Sequence, residues 1–259
     1  MATETLASRV NVLGVGISPI NIPIALERID GWIREGAREY VCVCPVHTVM
    51  LCRRSQALRR IVNASGMTTP DGMPMVWLSR WAGHPQVSRV YGPDLMLAAM
   101  EHSVAAGHRH YFYGGQPGIA QRLQQAMEQR FPGVRVVGAL TPPMGSANEL
   151  ATPEVAAEIN AARPDIVWIG VSSPKQDLLM ASLRPRLSAA VLIGVGAAFD
   201  FHTGRVAQAP AWVQRSGFEW LFRLAHEPRR LWRRYLVDNP WFLFDLFRQK
   251  TRLKQFPLA

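Results

Sequence analysis

Between Tyr40 and Pro93 the chain has only one carboxylate, Asp71. Cysteine is scarce as well, with Cys42, Cys44 and Cys52 the only three in 259 residues. Their odd number argues against a disulfide framework, and no fourth ligand stands at a spacing that would make a zinc site. Cys42 and Cys44 fall on an expected strand, facing opposite sides of it, and all three read as small buried apolar residues in a reducing cytoplasm. No stretch reaches the ~18 to 20 uninterrupted apolar residues of a bilayer span. Glu4, Arg9 and Asn11 precede any apolar run, which is not the layout of a signal peptide. The expected location is therefore cytoplasmic, with any membrane contact peripheral. No Asp-x-Asp pair occurs, so a site holding a sugar-linked diphosphate through a divalent metal lacks its usual carboxylates, and arginines would have to neutralise that charge. The seven histidines form no spaced metal set; His108 and His110 read as surface or satisfied core residues, and His47 and His202 as neighbours of the candidate loops.

What is present is a well-mixed globular composition, 48% hydrophobic with 20 glycines, long enough for one large domain or one domain and an appendage. Strand-like runs at Val10 to Ile17, Tyr40 to Cys44, His110 to Tyr113, Val134 to Val137, Asp165 to Val171 and Ala190 to Val195 alternate with helical patterns. The clearest of these helices run from Ile22 to Arg38, Gly118 to Arg130 and Lys175 to Leu187. The repeated unit is βαβ, which predicts an α/β Rossmann-like layered fold with a mostly parallel sheet. After Phe201, Pro210, Pro228 and Pro240 cut the sequence into short helical pieces dense in tryptophan and arginine. The expected division is an α/β catalytic domain over residues 1–200 and a cationic helical appendage over 201–259.

Net charge is +10, and from Arg215 to Ala259 ten Lys and Arg stand against four acids. Such a tail suits nucleic acid, an anionic membrane surface or a phosphorylated substrate. Over Arg229 to Leu236 a helical period places Leu231, Trp232, Tyr235 and Leu236 on one side and four guanidinium groups on the other. With Trp241, Phe242, Phe244 and Phe247 following, this pattern suits a membrane interface as well as a helix packed on the body.

Three segments can carry chemistry. Asp71 sits in Thr68-Thr69-Pro70-Asp71-Gly72-Met73-Pro74, where Pro70 biases Thr69 to extended geometry and Gly72 tolerates positive φ. Arg53, Arg54, Arg59, Arg60, Arg80 and Arg89 surround it in sequence, which suggests a positioned acid in an electropositive cleft; a plain β-turn is the alternative. Gly114 and Gly115 end a strand and open a helix, a place where backbone amides can receive a phosphate and equally an ordinary tight turn. Lys175 and Gln176 follow Ser172-Ser173-Pro174 at the end of a buried strand, where ligands of α/β sheets bind and where helices also commonly start. Gly14-Val15-Gly16 has no ribose-binding acid at the right spacing.

Together these segments resemble the WecG/TagA/CpsF family of glycosyltransferases (glycosyltransferase family 26), and are similar to its GumM-like members. The resemblance runs from about residue 40 to residue 236. It includes Pro45-Val46-His47, Arg89-Val90-Tyr91-Gly92-Pro93-Asp94-Leu95, Tyr113-Gly114-Gly115, Pro174-Lys175-Gln176-Asp177, Gly194 to Phe201 and Phe218 to Leu224. It implies an enzyme that moves a hexose or N-acetylhexosamine-type sugar from a UDP-sugar donor to a polyprenyl-diphosphate-linked sugar acceptor. The reaction would proceed with inversion and without a metal or other cofactor, at the inner face of the cytoplasmic membrane, in surface polysaccharide synthesis. By resemblance Asp71 is the general base and Arg89 and Gln176 are active-site contacts. Thr69, Gly72, Gly114, Gly115 and Lys175 fall in substrate-binding segments, and Arg223, Arg230 and Arg233 grip the acceptor diphosphate. Where many members carry Thr-x-Asn, this chain has Val43-Cys44-Pro45. A nicotinamide-dependent oxidoreductase and a nucleic-acid-binding protein are the competing readings; the resemblance implies no nucleic-acid partner, and assembly into a homo-oligomer is left open.

Overall fold

A computed structural model describes residues 5–258. Val10–Val12 (β1) and Val15–Ile17 (β2) pair antiparallel around Leu13 and Gly14, both at positive φ, so the single strand expected over this segment is a hairpin. Ile22–Glu35 (α1) opens on the Asn21 side chain, which accepts from the Ile24 amide, and stops at Gly36 in the left-handed conformation. Glu39–Cys44 (β3) leads to Val46–Arg54 (α2) and Gln56–Asn63 (α3). Met67–Pro70 (β4), a strand too short and too rich in turn residues to stand out in the sequence, precedes Met73–Trp81 (α4) and Gly92–Ala106 (α5). Arg109–Gly114 (β5), Ile119–Arg130 (α6) and Arg135–Leu140 (β6) follow. Ala147–Leu150 (α7) and Pro153–Ala161 (α8) lead to Ile166–Gly170 (β7), Lys175–Leu183 (α9) and Val191–Gly194 (β8). The remainder is helical: Ala198–His202 (α10), Ala211–Ser216 (α11), Glu219–His226 (α12), Pro228–Trp232 (α13), a π-helical turn over Arg233–Val237, and Asp238–Lys250 (α14).

Six strands form one sheet in the order β4-β3-β8-β7-β5-β6, every neighbouring pair parallel. The α/β expectation is met, and among the described residues antiparallel pairing is confined to the β1–β2 hairpin. The central strands β7 and β8 are buried along their whole length, as strands covered on both faces must be. One core packs α2, α3, α8, α9 and the hairpin against one face; the other packs α1, α5, α6 and α10 against the opposite face. Trp168, Phe112, Tyr113 and Phe199 are fully enclosed at the sheet, each such side chain contributing roughly 1.5–3 kcal/mol through burial. Phe242 of α14 and Phe256 belong to the first core, so the end of the chain is anchored on the body.

All three cysteines are buried and free. Cys42 and Cys44 share the first core, against the expectation that they face opposite ways, because residues two apart on a strand point to the same side. The same core encloses Asp177 of α9, whose pKa burial raises to about 6; the Ser173 hydroxyl and Cys42 thiol pull in the other direction, yet neither carboxyl oxygen has a well-formed hydrogen bond. His110 is also fully buried; its Nδ1 accepts from the Trp168 indole N–H, and burial holds its pKa down to about 3.

For Asp177 the raised folded-state pKa means that the unfolded chain ionises first. The cost is absent below pH ~4, grows as pH rises toward 6, and is complete above it, on the order of 3 kcal/mol for a two-unit shift. Asp177→Asn is therefore expected to raise the melting temperature by several degrees at pH 7.5 and by clearly less at pH 4.5. Calorimetry that found the same change at both pH values would remove the burial account.

Candidate active site

A cavity of ≈ 1100 Å³ opens at the carboxyl ends of the parallel strands. Helices leaving β3, β8, β7 and β5 depart to alternate faces, α2 and α9 to one and α10 and α6 to the other, which parts the chain into a crevice at that edge. The segments just beyond each strand form its floor: Pro45 after β3, Asp71 after β4, Gly115 to Pro117 after β5, Val171 to Ser173 after β7 and Val195 to Ala197 after β8. The opposite wall comes from the tail, with Arg223, Glu227, Arg230, Arg233, Arg234 and Asp238.

Asp71 is one residue past β4 rather than inside a reverse turn, and it is 9% exposed. Gly72, at φ 83° and ψ 151°, caps the start of α4 and turns the chain away. Thr69 donates its hydroxyl to the Val90 carbonyl, and the Val90 amide donates to the Pro70 carbonyl. Those two bonds stitch the acid's strand to the segment carrying Arg89. The Arg89 guanidinium donates to Asp71 Oδ1 at 3.4 Å, to Glu219 Oε2 at 2.5 Å and to Gln214 Oε1 at 3.3 Å, and lies over the Tyr91 ring. Burial raises the Glu219 pKa, with Arg89 opposing and Asp71 adding to the rise.

Of the sequence-predicted residues, Asp71, Gly115, Lys175, Gln176, Arg223, Arg230 and Arg233 line the cavity. Arg89 reaches it through Asp71. Thr69 and Gly72 are not lining residues; they aim the acid. Gly114 is not one either: a Cβ there would meet the Gly170 backbone at 2.7 Å, so its bare backbone serves the close approach of β5 and β7. The Gly115 amide is already given to the Gly170 carbonyl, and the Ile119 amide to Gln116, so the expected free phosphate-binding amides are in part committed. Gln176 is buried, accepting from the Gly196 amide at 2.8 Å and donating to Ser173, which makes it a brace between the β7 and β8 loops. Lys175 donates to the Gly145 carbonyl at 3.2 Å. Of the six arginines near Asp71 in sequence, Arg89 is the one bonded to it: Arg53 pairs with Asp245, Arg54 lines the cavity but pairs with Asp238, and Arg80 donates to the Val87 carbonyl.

The tail departs from the helical wheel. Leu231 and Tyr235 are buried while Trp232 and Leu236 are exposed, and Arg234 turns toward the cavity instead of the solvated side. The helical period itself holds, with Leu231, Arg234, Tyr235 and Asp238 inward at i, i+3, i+4 and i+7; what differs is the centre of the inward side, which lies at Leu231 and Tyr235 and takes in Arg234 instead of Trp232 and Leu236. The buried Nε of Arg234 has no hydrogen-bond partner, burial lowers the group's pKa, and Asp71 is among the charges that partly restore it. Among the described residues neither Arg233 nor Arg234 pairs with a carboxylate, whereas Arg223 and Arg230 share Glu227. His47 also lines the cavity, bonded through Nδ1 to Asp238 Oδ2 at 3.2 Å; His202 Nε2 instead meets the Pro93 carbonyl. Arg234, Glu219 and Asp238 were not singled out in the sequence, because only the fold returns the tail to the strand ends. Gly14 and Gly16 sit on the β1–β2 hairpin, away from the cavity, so they form no dinucleotide loop.

The fold and this site define an α/β enzyme in which the buried Asp71 lines a crevice of the sheet walled by arginines of the tail. The chain belongs to the glycosyl transferase WecG/TagA/CpsF family, whose family model matches residues 10–256. It is 30% identical over 176 residues to the N-acetylglucosaminyldiphosphoundecaprenol N-acetyl-beta-D-mannosaminyltransferase of Bacillus spizizenii (strain ATCC 23059 / NRRL B-14472 / W23), a match covering 68% of this chain and 66% of that protein. It is 27% identical over 197 residues to the protein of the same description from Bacillus subtilis (strain 168), covering 76% of this chain and 75% of the other.

The Arg89 bridge makes a prediction independent of any substrate. In a double-mutant cycle with Arg89→Gln and Glu219→Gln, unfolding free energies are expected to show coupling of about 1–3 kcal/mol, the size seen for contacting groups. A coupling indistinguishable from zero in chemical denaturation would mean that the tail is not tied to Asp71 through this pair.

Proposed function

We propose that the protein transfers a hexose or N-acetylhexosamine-type sugar from a UDP-sugar to a polyprenyl-diphosphate-linked sugar, with Asp71 as general base and inversion at the anomeric carbon. The observation that carries this reading is that the cavity is lined both by the buried Asp71 and by Arg233 and Arg234, neither of which pairs with a carboxylate among the described residues. Seven Lys and Arg line the cavity against four carboxylates, an excess that suits a diphosphate. The two Bacillus relatives carry a diphosphoundecaprenol-linked acceptor in their names, which supports the same class of acceptor here.

In the proposed step Asp71 takes the proton of the acceptor hydroxyl, whose oxygen forms the new bond to the anomeric carbon from the face opposite the nucleotide. The bond from that carbon to the diphosphate oxygen breaks, and UDP leaves with the electron pair. Guanidinium groups stabilise the charge that develops there. Arg89 keeps the carboxylate aimed, and Glu219 and Gln214 keep Arg89 in place. Val43 and Pro45, the positions that depart from the family's Thr-x-Asn, both line the cavity, while Cys44 between them is turned into the core. The sugar-binding floor is therefore less polar than in relatives that keep those side chains.

Residues 201–259 are proposed as the acceptor-holding unit. No helix of the described residues is long and apolar enough to cross a membrane. Eleven of the fifteen large hydrophobic side chains exposed among the described residues lie between Trp212 and Leu253, including Trp241, Phe244 and Phe247, beside exposed Arg229, Arg230 and Arg233. Exposed aromatics among arginines suit the headgroup region of an anionic bilayer. The tail would then rest on the cytoplasmic membrane, peripherally and from inside, and draw the lipid diphosphate toward Asp71.

Asp71→Asn is expected to lower turnover about 100- to 10,000-fold, the usual worth of a general base, with UDP-sugar binding by calorimetry unchanged. Near-normal turnover with a synthetic lipid-diphosphate sugar and a panel of UDP-sugars would remove the base assignment. For the tail, the full chain should sediment with phosphatidylglycerol vesicles and much less with phosphatidylcholine ones, and Trp241→Ala with Phe244→Ala should lower the bound fraction severalfold. Equal sedimentation with both lipids, or no effect of the pair, would count against membrane docking.

A further inference from the structure

Near the amino end of β5, away from the cavity, three side chains converge. Asp30 on α1 places Oδ2 at 2.7 Å from His102 Nε2 and Oδ1 at 2.8 Å from His108 Nε2. The three donor atoms lie within 4.8 Å of one another; His108 at 13% and Asp30 at 26% side-chain exposure are partly buried, and His102 at 40% is exposed. His102 lies in the last turns of α5. Gly107, at φ 75°, ends that helix in the left-handed conformation, and this turn brings His108 back beside His102 with ring centroids 6.0 Å apart. Histidine spacing along the chain could not reveal the set, because its carboxylate comes from another helix.

We propose that Asp30, His102 and His108 form a binding site for a borderline divalent cation of the Zn²⁺ or Co²⁺ kind. Two imidazoles and one carboxylate match those ions, whereas Mg²⁺ and Ca²⁺ favour all-oxygen shells. A carboxylate only accepts, so without metal both rings donate Nε2–H to Asp30. On binding, each neutral ring moves its proton to Nδ1 and offers the Nε2 lone pair to the ion. Metal–ligand distances of ~2.0–2.1 Å in a tetrahedron require donor atoms about 3.3 Å apart, so the present 2.7 and 2.8 Å contacts must open by roughly half an ångström. The more exposed His102 has the freedom to make that adjustment, and solvent fills the fourth position. β5 runs from beside His108 to Gly114 at the cavity end, a span of roughly 20 Å at ~3.3 Å per residue, so the ion plays no part in sugar transfer. It fastens α1 to α5, and because its ligands meet only in the folded chain, binding stabilises the fold.

The test uses the full chain after chelator treatment. Titration with ZnCl₂ in a calorimeter should give one ion per chain, with a rise in melting temperature, and CoCl₂ should produce visible d–d absorption of a low-coordinate site. His102→Gln, which keeps a donor toward Asp30, and Asp30→Asn should each weaken Zn²⁺ binding at least about tenfold, the loss seen even when only a ligand's outer partner is removed. His84→Gln, a histidine outside the cluster, should change nothing. Circular dichroism and melting of metal-free His102→Gln establish that the variant is folded. Unchanged affinity in folded His102→Gln, or binding without stabilisation of the wild-type chain, overturns the proposal.

Discussion

The contact on which the site depends is the guanidinium of Arg89. It donates to Asp71, Glu219 and Gln214 at once and stacks on Tyr91, so one side chain joins the end of β4 to helices α11 and α12. Neither carboxylate makes this junction stable by itself: two acids at one buried point repel, and the cation between them is what allows both to stay. An arginine suits that role because its fork presents several donors in fixed directions and keeps its charge when enclosed. Its own burial would disfavour the charge, but the two carboxylates outweigh that cost and raise its pKa.

From this junction the division of labour follows. The parallel sheet supplies a rigid edge where strand ends, glycine contacts and the Gln176 brace fix the floor of the cavity. The tail supplies positive charge from short helices broken by proline and by one π-helical turn. Arg234, three residues on from buried Leu231, points inward on the same helical face, and its Nε is buried without a partner. A buried donor left unmatched costs on the order of 1–3 kcal/mol, so it is the place where a bound anion has most to offer. Further contacts hold the tail down: His47 and Arg54 on Asp238, Arg53 on Asp245, and Phe242 in the body's core.

Much of this was legible in order along the chain. Unalternating apolar runs such as Ile166 to Gly170 identify a sheet covered on both faces, and a solitary acid beside a proline and a glycine identifies Asp71 as a positioned group. Other features were misread for local reasons. β4 is four residues ending in proline and looked like a turn; Gly114 read as a phosphate loop or a tight turn and is a point where two strands touch; the Arg229 to Leu236 wheel centred its inward side on the aromatics, whereas it is centred on Leu231 and Tyr235 and takes in Arg234. Arg53 and Arg54 are near Asp71 in sequence, yet they are taken by Asp245 and Asp238 of the tail, and Arg80 by the nearby Val87 carbonyl.

The sequence by itself determined the periodicities and motifs, and with them the α/β class and the family, because these depend on residue type and spacing. Tertiary structure alone decided which arginines face that acid, which glycines bear on packing, and that Asp30 meets His102 and His108. Those outcomes rest on contacts between residues up to 192 positions apart, as with Arg53 and Asp245. Only the closing of loops and the docking of the tail bring such groups within the few ångströms over which a hydrogen bond acts.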